Sequence, residues 1–391
     1  MAHRLFIKER VMTPGPVEVP PAVLIEMALP IIHHRTKQFQ TIFEEVSQRL
    51  QRVFRTTHPV LSIAGSGTTA FEAAIASLTP PDSKAIVVAG GKFGERWQDI
   101  YDQYGIEQVK INVPWGTAVS ADQIEEALKA NPDASVVALC HSETSTATAC
   151  DIKAIAAVVS KSNALLLVDG ITAVGAMEVE MDAWGIDCLV TGSQKAMMLP
   201  PGLGYVGLGP RALARLKDTK PGHFYNLDLR RWLKSYDKND VPFTPPVSLI
   251  RGQRVALELM ENEGLENVWA RSAKLADAAR AAFTAMGLKL ISESPSNSVT
   301  GAFYPTIKGE GVDDKTFRAA MRNEHGLHLA GGQAGRGADW AKTVFRISHM
   351  GYVDAGDTLA VLVGIEKQFK AMGADINTDK AIPAALKVLM G

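Results

Sequence analysis

Between about residue 58 and residue 207, short apolar runs alternate with segments whose apolar residues recur at helical spacing. The runs are HPVLSIA, KAIVVAG, VKINVP, SVVALCH, ALLLVDG, DCLVTG and GYVGLG. Helical patterns separate them at Thr69 to Leu78, Glu95 to Tyr104, Ala121 to Ala130 and Ile152 to Ser160. A strand that is apolar throughout, instead of alternating with polar residues, is buried on both faces, as in a parallel sheet covered by helices. The pattern therefore predicts an α/β domain with a large, mostly parallel, doubly wound sheet.

Beyond Pro245 and Pro246 the rhythm changes. Leu265, Val268, Trp269, Ser272, Leu275, Ala276, Ala279 and Phe283 share one face of a long helix. Strand-like LKLIS and VTGAFYPTI follow, then a helix near Asp314 to Asn323, the strand KTVFRIS and a closing helix from about Asp357 to Met372. This predicts a smaller C-terminal α+β domain. The expected division is an N-terminal arm over 1–20, a large domain over 21–255 and a small domain over 256–391. The arm is set apart because MTPGPVEVPP holds four prolines and cannot continue regular structure.

The 391 residues are 46% hydrophobic, enough for a large core, and 41 Lys and Arg nearly balance 42 Asp and Glu. No basic block marks a nucleic-acid partner and no basic amphipathic run marks a membrane surface, so the expected partners are small molecules. No apolar run reaches the roughly 18 residues needed to span a bilayer. The start, MAHRLFIKERVM, meets Lys8 before a signal-peptide core develops, so a cytoplasmic location is expected. Cys140, Cys150 and Cys188 lack disulfide-framework or zinc spacing, and no metal site is expected.

Three segments could carry chemistry. Gly65-Ser66-Gly67-Thr68-Thr69-Ala70 follows an apolar run and opens a helix, where backbone N–H groups and the positive helix end suit a phosphate. The string also fits a dinucleotide fingerprint, but that reading needs an acid at the end of the next strand, and KAIVVA ends in Ala89-Gly90-Gly91. A tight turn without a ligand fits the string as well as a phosphate cradle does. Asp169 ends a buried run, at the edge where ligands of open α/β sheets bind, although a turn or cap Asp has the same setting. Lys195 follows CLVTGSQ and precedes AMMLPPG, with no other charge between Asp187 and Arg211. A sheltered amine loses its proton more easily and turns nucleophilic toward aldehydes, whereas a snorkelling lysine would keep its charge in water. Together, a phosphate cradle, an acid and a sheltered amine at strand ends are the parts that hold pyridoxal 5'-phosphate. Lys195 lies 26 positions after Asp169, room for a helix, a strand and a turn between neighbouring strand ends.

With those residues in view, the chain resembles the class V, fold-type I aminotransferases of the alanine-glyoxylate and serine-pyruvate kind, nearly end to end. The likeness is carried by TPGPVEVP, HHR at His33 to Arg35, GSGTTAFEA, GGKFGERW, HSETSTA, LLLVDGITAVG, TGSQKAMMLPPG and VFRIS. GSQK after LVDG is far more specific than the glycine turn. The resemblance implies Lys195 as the Schiff-base lysine and Asp169 as the partner of the pyridine nitrogen. It also implies phosphate binding by Ser66, Gly67, Thr68 and Gln194, ring stacking by Phe93 with Ile171 on the other face, and Thr144 near the phenolic oxygen. Arg346, in VFRIS, would grip the substrate α-carboxylate, a task suited to a planar fork making two parallel charge-assisted bonds. Gly15 would border the substrate pocket, while His141 and Glu143 are expected to be structural.

Relatives often place a Tyr and a Thr of the partner subunit on the phosphate. Thr244 matches the Thr, but Val241 stands where the Tyr would, with Tyr225 and Tyr236 as candidate replacements. Ala147 stands where relatives frequently have Gly. The implied activity is ping-pong transamination by a homodimer, from a small amino acid such as alanine or serine to glyoxylate or pyruvate. HSET is also similar to the 2-aminoethylphosphonate-pyruvate relatives. A cysteine desulfurase or lyase shares the fold but needs a reactive thiol on a mobile loop, which Cys150 alone could offer.

Overall fold

The apolar runs become seven strands of one sheet in the computed structural model, which describes residues 7–219 and 224–391. The first six residues of the expected arm lie outside the described residues. In spatial order the strands are Val60–Gly65, Gly202–Leu208, Cys188–Gly192, Leu165–Asp169, Ala134–Cys140, Lys84–Ala89 and Glu107–Asn112. Gly202–Leu208 runs antiparallel to both neighbours and the other pairs are parallel. The three central strands are buried at every position but the half-buried Ser135, as two-sided helix cover requires. Their register places Cys140 opposite Asp169 and Asp169 opposite Val190, so their carboxyl ends line one edge.

The helix Lys37–Phe54, which the sequence reading did not single out, buries Phe39, Ile42, Phe43, Val46, Leu50, Val53 and Phe54 at helical spacing, and the Thr36 side chain caps its start. The expected domain boundary falls inside the helix Val247–Glu263, whose Ile250, Ala256, Leu257 and Met260 join the large core. A break comes at Gly264, with φ of 85°, a conformation that costs glycine little. The next helix, Leu265–Ala285, gives Leu275, Ala279 and Phe283 to the second core.

The smaller unit is built on an antiparallel sheet of three strands, ordered Val299–Phe303, Val344–Ser348 and Ala330–Gly331. LKLIS contributes only the single bridge Leu290 to Ala302. Phe283, Phe317, Phe345 and Phe369 cluster under this sheet, with Phe317 and Phe369 stacked 4.5 Å apart. The arm ties both units together: Arg10–Val11 pairs with Leu327–His328, Ser348 N donates to Met12 O, and Val17 N donates to Gln194 O in the lysine loop. Among the described residues, no helix is long and apolar enough to cross a membrane.

Phe345 is fully buried beside Arg346 on the same strand. Truncation to Ala leaves a cavity and is expected to destabilise the protein by about 3–5 kcal/mol, read from urea unfolding.

Candidate active site

Asp169 closes its strand with a side chain 4% exposed. Its Oδ1 accepts from Ile171 N at 2.8 Å, and its Oδ2 accepts from the Cys140 thiol at 3.2 Å. Burial pushes the carboxyl up to about 7, against the pull of these donors. A carboxyl so poorly hydrated favours a nearby cation or a donated proton.

Lys195 follows the neighbouring strand by three residues, and its Nζ donates to the carbonyl of Pro14 on the arm. Desolvation, then the positive charges of Arg346 and Arg96, push the amine down to about 8, while Asp169 pulls the other way. Gly15 shows how closely the arm covers it. A Cβ there would lie 2.0 Å from Lys195 Nζ, and φ is 122°, so a side chain is excluded by both space and backbone.

Ser66 precedes the helix Gly67–Leu78, and its N–H is taken by Thr69 Oγ1 at 3.1 Å. A Cβ on Gly67 would come 2.3 Å from Ile171 Cδ1, so the turn and Ile171 are in contact. Gln194 Oε1 is buried beside this turn with no partner, an acceptor awaiting a donor. Four of the expected residues, with Asp169 and Lys195, thus gather at the carboxyl edge of the sheet.

Phe93 lies in the first turn of the helix Lys92–Gln103, and the buried Glu143 holds that turn. Its Oε2 accepts from Phe93 N and Gly94 N at 3.1 and 2.8 Å, and its Oε1 accepts from Ser145 N and Ser145 Oγ at 3.0 and 2.5 Å. Glu143 therefore caps a helix. His141 is buried and pushed down to about 4 by desolvation, which keeps its ring neutral.

Thr144 is buried, with its hydroxyl 3.0 Å from that of Thr172. Its carbonyl accepts from Arg346 Nη1 at 2.7 Å, and Gly331 O accepts from Arg346 Nε and Nη2 at 3.0 and 2.8 Å. Arg346 is 4% exposed, and burial pushes its guanidinium down to about 10. An arginine has five N–H groups, so these three bonds leave two for a ligand.

Thr244 stands apart, exposed before the helix Val247–Glu263. Val241 is buried in the large core. Of the two tyrosines weighed as replacements, Tyr236 packs edge-on against the buried Phe43, whereas Tyr225 is 64% exposed, near Phe243.

Sequence reasoning missed four contributors. Arg96 lies within GGKFGERW, three residues after Phe93 and so on the same helix face, a spacing that could have flagged it. Cys140 donates to Asp169, a role that its place in an apolar run does not signal. The carbonyls of Pro14 and Gly331 carry no side-chain signal.

The model of the family described as Aminotransferase class-V matches residues 28–356. The chain is 35% identical over 385 residues to the L-aspartate-glyoxylate aminotransferase of Paracoccus denitrificans, covering 96% of this chain and 94% of that one. It is 31% identical over 395 residues to the serine-glyoxylate aminotransferase of Hyphomicrobium methylovorum, covering 97% and 94%. The crystal structure of pyridoxamine-pyruvate aminotransferase from Mesorhizobium loti superposes with a TM-score of 0.91 at 32% identity, over 99% of this chain and 98% of that one.

An amine lowered to about 8 is largely protonated at pH 7 and largely free at pH 9. Acylation of Lys195, followed by peptide mass spectrometry on the apoprotein, is expected to reach half its limiting rate near pH 8, whereas exposed lysines continue to accelerate toward pH 10.

Proposed function

The chain belongs to the class-V aminotransferases, and from that premise we propose that it is a pyridoxal-phosphate-dependent enzyme moving an amino group from a small amino acid to glyoxylate or pyruvate. The observation that carries the reading is the desolvated Lys195 amine set between Asp169 and Arg346. The residues present fit the cofactor. An amine lowered to about 8 suits its aldehyde, Asp169 suits a protonated ring nitrogen, and the backbone N–H groups at the helix start suit a phosphate. Phe93 and Ile171 would face the ring and Thr144 its phenolic oxygen, as the family resemblance implies.

When bound, the cofactor supplies an aldehyde for the amino group and a ring that withdraws electrons as the α-hydrogen leaves. Lys195 Nζ takes that proton and returns it, and a value near 8 leaves it basic enough to accept a proton yet often free to do so. Asp169 would pair as a carboxylate with the protonated ring nitrogen, a cation that offsets the cost of burying its charge. Arg346 orients the substrate α-carboxylate through its two uncommitted N–H groups. The arm at Pro14 and Gly15 excludes water from the amine.

The thiols support amino transfer over sulfur transfer. Cys140 and Cys188 are buried, and burial pushes Cys150 up to about 11, so none is a thiolate at neutral pH. We extend the proposal to a homodimer acting in the cytoplasm. Leu24, Ile25, Leu29 and Ile31 expose 44% to 76% of their surface within one short segment, an apolar strip suited to a second copy. Thr244 and Tyr225 are exposed and free to reach a partner's phosphate site.

Lys195→Ala is expected to fold normally, by circular dichroism, and to lose at least about 10³-fold in amino transfer; near-normal turnover would refute the mechanism. Arg346→Gln is expected to lower kcat/KM about a hundredfold for every amino acid donor in a panel of alanine, serine, aspartate and 2-aminoethylphosphonate, and to spare the phosphonate, which lacks an α-carboxylate. The wild-type panel against glyoxylate and pyruvate identifies the donor. Sedimentation is expected to show a dimer that Ile25→Glu with Ile31→Glu converts to monomer.

A further inference from the structure

Among the described residues, Arg96 is a cation without a matching anion. The three acids of its helix are engaged elsewhere: Glu95 Oε1 accepts from Gly337 N at 3.0 Å, Asp99 pairs with Arg336, and Asp102 pairs with Lys110 at 2.7 Å. Among the described residues no carboxylate forms an ion pair with Arg96. Its guanidinium instead lies 5.0 Å from the centroid of the Phe93 ring and donates to Thr68 Oγ1 at 3.2 Å.

That position adds a cation to a helix start that is already positive. Thr68 belongs to the first turn of the helix Gly67–Leu78, where unpaired N–H groups already sum to roughly half a positive charge. The charge of Arg96 also reaches Lys195, where it adds to that of Arg346. A cation placed at a positive helix end, and close enough to lower a neighbouring amine, lacks a dianion to complete it. Lys92, one turn earlier, shows the contrast, because it has Glu95 at 3.8 Å.

We propose that Arg96 is the positioning residue for the cofactor's phosphate, neutralising the dianion at the start of the helix Gly67–Leu78 while bracing Phe93 from behind. The assignment rests on the reading of this site as a pyridoxal phosphate site and deepens it: the turn residues supply geometry, and Arg96 supplies charge. One side chain then links the element that stacks on the ring to the element that holds the phosphate. A structural role alone would stabilise Phe93 but would not distinguish a phosphorylated ligand from its parent alcohol.

The test uses that distinction. Pyridoxine 5'-phosphate and pyridoxine cannot condense with Lys195, so their calorimetric titration into apoenzyme reads binding alone. Arg96→Gln is expected to weaken the phosphate ester about ten- to a hundredfold and pyridoxine less than about twofold, with Arg96→Lys recovering much of the loss. Equal weakening of both ligands, or unchanged affinity for the ester, would overturn the assignment. If Arg96→Gln does not fold, by circular dichroism, the comparison of wild type with Arg96→Lys decides: a selective loss for the ester supports the role and a loss common to both removes it. Wild-type apoenzyme that does not prefer the ester would instead overturn the cofactor reading itself.

Discussion

The amine of Lys195 is kept from water by the backbone of its own N-terminal arm, and much of the site follows from that desolvation. With Pro14 O as its hydrogen-bond partner and Gly15 pressed against it, the side chain cannot be solvated like a surface lysine. The ammonium form loses hydration and gains no carboxylate at contact distance, so its proton is held weakly. Asp169 is desolvated too, but the same burial moves it in the opposite direction, toward holding a proton. One strand edge therefore carries an amine that releases its proton easily and a carboxyl that retains one, the divergence that proton-transfer sites exploit.

The remaining charges sharpen this arrangement. Arg346 and Arg96 both press on the amine, and Arg346 is fixed by carbonyls from both units, Thr144 O and Gly331 O. Fixing an arginine with neutral acceptors leaves its full charge available, where a carboxylate would have cancelled it. Glu143, the nearby buried acid, is occupied by four donors, two at a helix start and two from Ser145. The pocket is thus net positive in the free chain, as suits ligands carrying a phosphate and a carboxylate.

The sheet and its ends were readable from the sequence because strands buried on both faces leave uninterrupted apolar runs, and Asp169 and Lys195 terminate or follow such runs. The helix Lys37–Phe54 was harder to see, because charged and amide side chains crowd its exposed side. The domain boundary was set by a change of composition, whereas the chain turns at Gly264, after a helix that carries the large core past the expected limit. Arg96 was passed over because a helical arginine is normally solvated, and its lack of an acid is visible only in three dimensions. Ala147 combines both lessons. It adopts φ of 53°, which explains why glycine suits the position, while its methyl group packs with Ile291, Val299 and Val344.

The arm joins two mechanical parts. Residues 10 to 12 are hydrogen-bonded to the smaller unit, and residues 14 to 17 touch the lysine loop of the larger one. Any shift of the smaller unit relative to the larger would be carried through these residues to the peptide segment resting over the amine.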